Sequence, residues 1–235
     1  MRLDKFIADT GIASRKECAK AAKSGLVTLN GKPVRDVSVH VDENTAQVTY
    51  CGKPVIWRKY LYLMLNKPSG YISTSDGDPR SIMRLLPQLY SKTECFPCGR
   101  LDIDTVGLLI VTNDGPLAHE LLSPRHHVEK TYFFRCSPPL TEEMAEKLRV
   151  GVDIGDIVTK PAGLVTFGDG SEGEITLTEG KFHQIKRMLE AVGSKITYLQ
   201  RIKFGGIPLD ASLEEGKWRE LSADEINTLI NNKNR

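Results

Sequence analysis

Asp102 and Asp104 flank one residue in the stretch Gly99-Arg100-Leu101-Asp102-Ile103-Asp104-Thr105, just ahead of an apolar run, Gly107-Leu-Leu-Ile-Val-Thr112. A carboxylate at the edge of such a run is costly unless it is paired or hydrogen-bonded. Arg100, two residues back, points to the same side as Asp102 if the segment is extended. On a strand, Asp102 and Asp104 would share a face roughly 7 Å apart, a separation compatible with the acid and base of an inverting glycoside hydrolase. The alternative is that both are turn residues leading into a strand, since Asp and Thr favour turns. Cys95-Phe-Pro-Cys98 has the spacing of a redox or metal pair. A structural zinc site wants four ligands, however, and no second pair with suitable spacing is present. Cys136 stands alone, and the neighbours His126 and His127 point apart on a strand.

The elements that must position these groups are legible in part. Tyr62-Leu-Met-Leu65 and Tyr71-Ile-Ser-Thr74 read as strands separated by a loop, Asn66-Lys-Pro-Ser-Gly70. Gly107–Thr112 reads as a strand, ended by Asn113-Asp-Gly115 before a short helix near Leu117–Leu122. Thr131–Ser137 reads as a strand and Thr141–Val150 as a helix. Ala162–Phe167 and Glu174–Thr178 form a hairpin across Gly168-Asp-Gly170. Phe182–Val192 is an amphipathic helix with Ile185, Met188, Leu189 and Val192 on one face. Ser222-Ala-Asp-Glu225 is a capping box that opens a final helix. Strand clusters with scattered helices predict an α+β body on a mostly antiparallel sheet.

The first 60 residues differ in character. They hold 11 Lys and Arg against 6 Asp and Glu, whereas the remaining 175 hold 21 against 24. A small basic segment is thus joined to a slightly acidic body, a split that suits a polyanion-binding module attached to something with another task. Leu3, Phe6 and Ile7 have helical spacing with Gly11 as a stop. Ser14-Arg-Lys-Glu17 is a capping box opening a second helix that runs to Ser24-Gly25. On that helix Lys16, Lys20 and Lys23 are spaced by four and three and form one basic stripe. Val27-Thr-Leu29, Asn30-Gly31 and Lys32-Pro-Val34 spell a hairpin. Residues 55–62 link this unit to the body.

No apolar run approaches the roughly 20 residues that span a bilayer, and the N-terminus lacks the pattern of a signal peptide. Five cysteines, an odd number, fit a reducing compartment better than a disulfide framework. The expectation is a cytoplasmic protein with no membrane partner.

Two resemblances sharpen this reading. Arg2-Leu-Asp4-Lys-Phe, Ser14-Arg15 and Val27-x-x-Asn30-Gly31 resemble the alpha-L RNA-binding domain of small-subunit ribosomal proteins and several RNA-modifying enzymes. That likeness implies RNA binding through the helix–hairpin face, with Arg2, Arg15, Lys16, Lys20 and Lys23 as contacts to phosphate. In the body, Asn66-Lys67-Pro68-x-Gly70, Gly99-Arg100-Leu101-Asp102, Ser123-Pro-Arg-His-His-Val-Glu-Lys-Thr-Tyr132 and Glu179-Gly-Lys-Phe-His-Gln-Ile-Lys-Arg-Met188 occur in order. Together they resemble the RsuA family of ribosomal RNA pseudouridine synthases, and the Ser-Pro-Arg-His-His variant is most similar to the small-subunit branch.

The resemblance implies an alpha-L domain at residues 1–58 and a pseudouridine synthase catalytic domain at 59–235, acting as a monomer on small-subunit ribosomal RNA, naked or in an assembling particle. It implies that a uridine is isomerised in place, with no cofactor and no metal. Asp102 would be the essential carboxylate, as nucleophile or base, and Lys186 the cation that keeps it ionised, where related families more often carry arginine. Tyr132 would stack on the flipped uracil. Arg100 would fill the space left by that base or pair with Asp102, and Arg187 would meet RNA phosphate or sit as a surface charge. His126, His127 and His183 are left to positioning or RNA contact. A large-subunit target, a hydrolase that frees uracil, and a non-catalytic ribosome-assembly factor remain the competing readings.

Overall fold

The computed structural model describes residues 1–75 and 77–232; the expected end of the second domain, at residue 235, lies outside them. Two units emerge from the contacts: Met1–Tyr60 with Pro87–Glu94, and Leu61–Leu86 with the chain from Cys95 onward.

In the first unit the helical spacing of Leu3, Phe6 and Ile7 gives α1 (Leu3–Ala8), which buries those three side chains. The second helix, α2 (Arg15–Lys23), opens on the anticipated box. Glu17 N–H donates to Ser14 Oγ at 3.2 Å, and Ser14 N–H donates to Glu17 Oε2 at 2.7 Å. Such a cap stabilises a helix start by about 1 kcal/mol. Strands β1 (Val27–Leu29) and β2 (Lys32–Pro33) pair antiparallel across Asn30 and Gly31. Both turn residues have positive φ, 50° and 78°, the requirement of a tight primed turn. Two strands that the sequence pattern did not mark, β3 (Val48–Tyr50) and β4 (Lys53–Val55), complete a four-stranded sheet in the order β2-β1-β3-β4. Trp57 then stacks on Phe6 with ring centroids 6.1 Å apart.

In the second unit β5 (Tyr62–Lys67) runs two residues further than expected, so Asn66 and Lys67 end a strand instead of opening a loop. The strand anticipated at Tyr71–Thr74 does not form. Ile72 makes one isolated bridge to Ser81, because Ser73 and Thr74 turn to serve neighbouring loops. A short 3-10 turn follows at Ile82–Leu85, and α3 (Gln88–Lys92) lies in the excursion that belongs to the first unit.

β6 (Phe96–Pro97) pairs with β7 (Val106–Thr112), all of whose residues are buried. Asp114 caps α4 (Gly115–Leu122) by accepting from Leu117 N–H. β8 (Lys130–Ser137), α5 (Glu142–Val150), and the hairpin of β9 (Gly163–Phe167) and β10 (Glu172–Leu177) come next, close to expectation. α6 (Gln184–Ala191) buries Ile185, Met188 and Leu189, and starts two residues later than its apolar pattern. The longest strand, β11 (Lys195–Phe204), carries no clean alternation, and the sequence pattern did not mark it either. β12 (Ile207–Pro208), β13 (Trp218–Glu220) and α7 (Ala223–Asn232) close the described chain.

The sheet runs β13-β5-β7-β11-β8-β10-β9, with β6 and β12 paired to β7 and β11. Among the described strands of this sheet only β7 and β11 pair in parallel; the other pairings are antiparallel. Gly107 permits this junction. Its φ is +99°, and a Cβ there would lie 2.4 Å from the Arg201 carbonyl oxygen, so no other residue fits. No helix among the described residues is long and apolar enough to cross a membrane.

Candidate active site

Asp102 sits in the loop that feeds β7. The loop is not extended there: Thr105 N–H donates to the Asp102 carbonyl at 3.1 Å, closing a turn over Ile103 and Asp104. The i, i+2 strand-face geometry is therefore replaced by a turn, as the Asp and Thr content permits.

That turn is held from below by the Asn66–Gly70 motif. Lys67, with no exposed surface, directs Nζ at four carbonyls, of Pro68 (3.1 Å), Asp102 (3.1 Å), Ile103 (3.3 Å) and Thr105 (2.8 Å). Gly70 N–H donates to Ile103 O at 2.8 Å. Ser73 Oγ both donates to Leu101 O (3.1 Å) and accepts from Leu101 N–H (3.0 Å). Burial pushes the Lys67 ammonium down to about 8, against the pull of Asp104 and Asp102.

With its backbone fixed, the loop presents both carboxylates to α6. Lys186 Nζ lies 3.2 Å from Asp102 Oδ2 and 2.6 Å from Asp104 Oδ1. An ammonium with three donors can fork between two carboxylates in a way that suits a compact point charge. Burial disfavours the charged Lys186, yet its bonds to Asp104 and Asp102 outweigh this and raise its pKa. For Asp104 burial acts upward, but the bond and charge of Lys186 hold it below the usual carboxylate range. Asp102 retains 28% side-chain exposure, so the carboxylate is reachable. His183, in the left-handed region with φ 49°, places Nε2 3.6 Å from Asp102 Oδ1.

Tyr132 lies in β8, level with Arg201 of β11, which is level in turn with Gly107 at the start of β7. It therefore stands at the end of the sheet from which the Asp102 loop emerges, half-buried against the cluster that holds Ile185 and Met188. Arg100 is exposed and makes no ion pair with Asp102 among the described residues; the turn removes the shared face that such a pair needs. Arg187, expected to face phosphate, has its guanidinium engaged within the unit by the Ile154 carbonyl (2.6 Å), Asp156 and the Phe182 carbonyl. His126 pairs with Glu120 at 2.7 Å, and His127 Nδ1 lies 3.2 Å from Lys160 Nζ. Cys95 and Cys98 are buried, Cys98 pushed up to about 11 by burial. Sequence reasoning gave Lys67 no role. Its signal was the Asn66-Lys67-Pro68-x-Gly70 motif, read as a loop, where the structure has the lysine close an apolar strand.

In the first unit Arg15, Lys16, Lys20 and Lys23 are all exposed on or beside α2. Arg2 is half-exposed and forks onto the buried Asp4 at 3.1 and 2.8 Å.

Known proteins resemble this chain over nearly its whole length. Residues 61–191 match the family model described as RNA pseudouridylate synthase, and residues 1–46 match that of the S4 domain. An uncharacterized RNA pseudouridine synthase, YtzG, of Bacillus subtilis is 44% identical, covering 97% of this chain and 98% of that protein. Ribosomal small subunit pseudouridine synthase A of Escherichia coli K12 is 38% identical over 98% of this chain and 100% of its own length. A solved structure titled as a crystal structure of pseudouridylate synthase superposes with a TM-score of 0.67 at 36% identity, covering 97% of this chain and 99% of that one. The match of residues 61–191 to that family model, with relatives 38–44% identical over nearly the whole length of both chains, thus places the protein in the RNA pseudouridylate synthase family.

Proposed function

We propose that this isomerase converts one uridine of small-subunit (16S) ribosomal RNA to pseudouridine, with Asp102 as the catalytic carboxylate. The observation that carries the reading is the Lys186 bridge, which sets an ammonium against a reachable Asp102 on a loop that cannot drift. The target must be flipped out of any helix, since an enzyme cannot reach the reacting atoms inside a stack. The N1–C1′ bond then breaks, the uracil turns, and C5 bonds to C1′. The C5 proton leaves to solvent and N1 takes one up, so the RNA keeps its composition. Asp102 serves as nucleophile or as base in this sequence. Lys186 balances its charge, and Tyr132 packs against the extruded ring. The exposed α2 stripe, with Arg2 and Arg15, meets phosphate and sets affinity without reading sequence. The expected domains are residues 1–58 and 59–235, working as a monomer in the cytoplasm on RNA that is naked or partly assembled.

The test uses 16S RNA transcribed with uridine tritiated at C5, incubated with the protein alone. Tritium in water, no free uracil and a single new carbodiimide-dependent stop on reverse transcription would support the proposal. Free uracil would turn it to a hydrolase. A stop found only on large-subunit RNA would move the target, and binding without either product would leave a non-catalytic assembly factor.

A further inference from the structure

Phe182 is 77% exposed, although the segment it opens sends Ile185, Met188 and Leu189 into the core. Its ring stacks on the His183 imidazole, centroids 3.8 Å apart and planes inclined by 19°. His183 is in turn the group 3.6 Å from Asp102. The loop behind the pair is tied down. Gln184, buried, accepts from Lys181 N–H (2.9 Å) and donates to Glu179 Oε1 (2.7 Å), which also accepts from Lys160 N–H (2.9 Å). Arg187 donates to the Phe182 carbonyl. An exposed large aromatic on so restrained a backbone is a pre-organised flat surface, and its neighbour Lys181 is an exposed cation.

We propose that Phe182, backed by His183, is a stacking subsite for a nucleobase of the RNA strand next to the reacting uridine. Aromatic platforms beside cationic groups take bases irrespective of sequence. The short path from Phe182 through His183 to Asp102 places that base beside the one being isomerised, where it fixes the strand while the target turns. This rests on the RNA reading above for the identity of the occupant.

Phe182→Ala, Phe182→Leu and Phe182→Trp are compared with wild type on the tritiated 16S RNA. Phe182 is exposed, so the folds should survive, which matching thermal unfolding would verify. For Ala and Leu the expected result is a KM raised about tenfold, with Trp restoring it. The added tryptophan should be quenched on RNA binding beyond any change shown by wild type, whose own Trp57 and Trp218 supply the reference. The quench needs no turnover, so it separates the two ideas. An inactive wild type, with the added indole of Phe182→Trp still quenched by RNA, would sink the isomerase reading and keep the platform. An active enzyme with unchanged KM in all three variants and no quench would overturn the platform. If Leu performs as well as Phe, the site is merely apolar and the stacking proposal fails.

Discussion

At the level of single residues, the site depends on which charges can be removed without collapse. Asp102→Asn keeps shape and loses the charge, so turnover should fall by at least about a thousandfold, the scale of removing a covalent or general-base group. Filter binding should show RNA affinity within about twofold of wild type; a variant with full activity would remove Asp102 from the chemistry. Lys130 offers a pH test. It is buried, donates to Val128 O at 2.7 Å, and burial, with Arg201 nearby, pushes it down to about 8. Between that value and the ordinary 10.5 the unfolded chain binds more protons than the folded one, so this group makes stability rise with pH across that window. The stability of wild type relative to Lys130→Met in urea should therefore rise between pH 7 and pH 9.5. A constant difference would mean that the lysine is solvated. The sequence made Asp102, Tyr132 and Lys186 nameable because short motifs carry them. Lys67 also stood in a motif, but its role stayed hidden because three of its four carbonyl partners belong to a loop 35 and more residues away, a relation no local spacing encodes.

At the level of elements, helices and hairpins with chemical punctuation were legible. Ser14 and Glu17, Asn30-Gly31, Thr141, and Ser222 with Glu225 each mark a boundary that the structure keeps. β11 was not, although it lies between β7 and β8. Its partners come from both directions, and register shifts near Ile196–Tyr198 and Arg201–Lys203 break its alternation. Its junction with β7 makes Gly107→Ala a sharp test. The added methyl meets Arg201 backbone in a left-handed conformation, so a loss of about 2 kcal/mol or more is expected, read as a lower urea midpoint. Gly180→Ala, where a Cβ meets nothing within 4 Å, is the matched control and should change stability little.

At the level of the whole molecule, the charge split between the first 60 residues and the rest predicts how binding responds to salt. Replacing Lys16, Lys20 and Lys23 together by Gln should lower the slope of log affinity against log salt by roughly 2 to 3, about 0.7–0.9 for each phosphate no longer neutralised. Turnover at saturating RNA should be kept. An unchanged slope would show that the stripe faces water in the complex. The α+β class and the basic module could be read from composition and patterning. The return of Pro87–Glu94 to the first unit could not, since its short helix carries no charge or spacing that marks it as foreign to its neighbours.

The placement of β11 also governs when the enzyme can first exist. Arg201 bonds a carbonyl of β7 that precedes it by 93 residues, and Lys186 follows Asp104 by 82. At about 5–20 residues per second, β7 waits roughly 5 to 20 s on the ribosome for its parallel neighbour. Until residue 204 has emerged, the nascent chain carries a complete basic module but an open sheet and, for most of that wait, a carboxylate without its cation. An incomplete chain can therefore hold RNA before it can alter it, and stalled products ending before β11 should compete with the finished enzyme as inert binders.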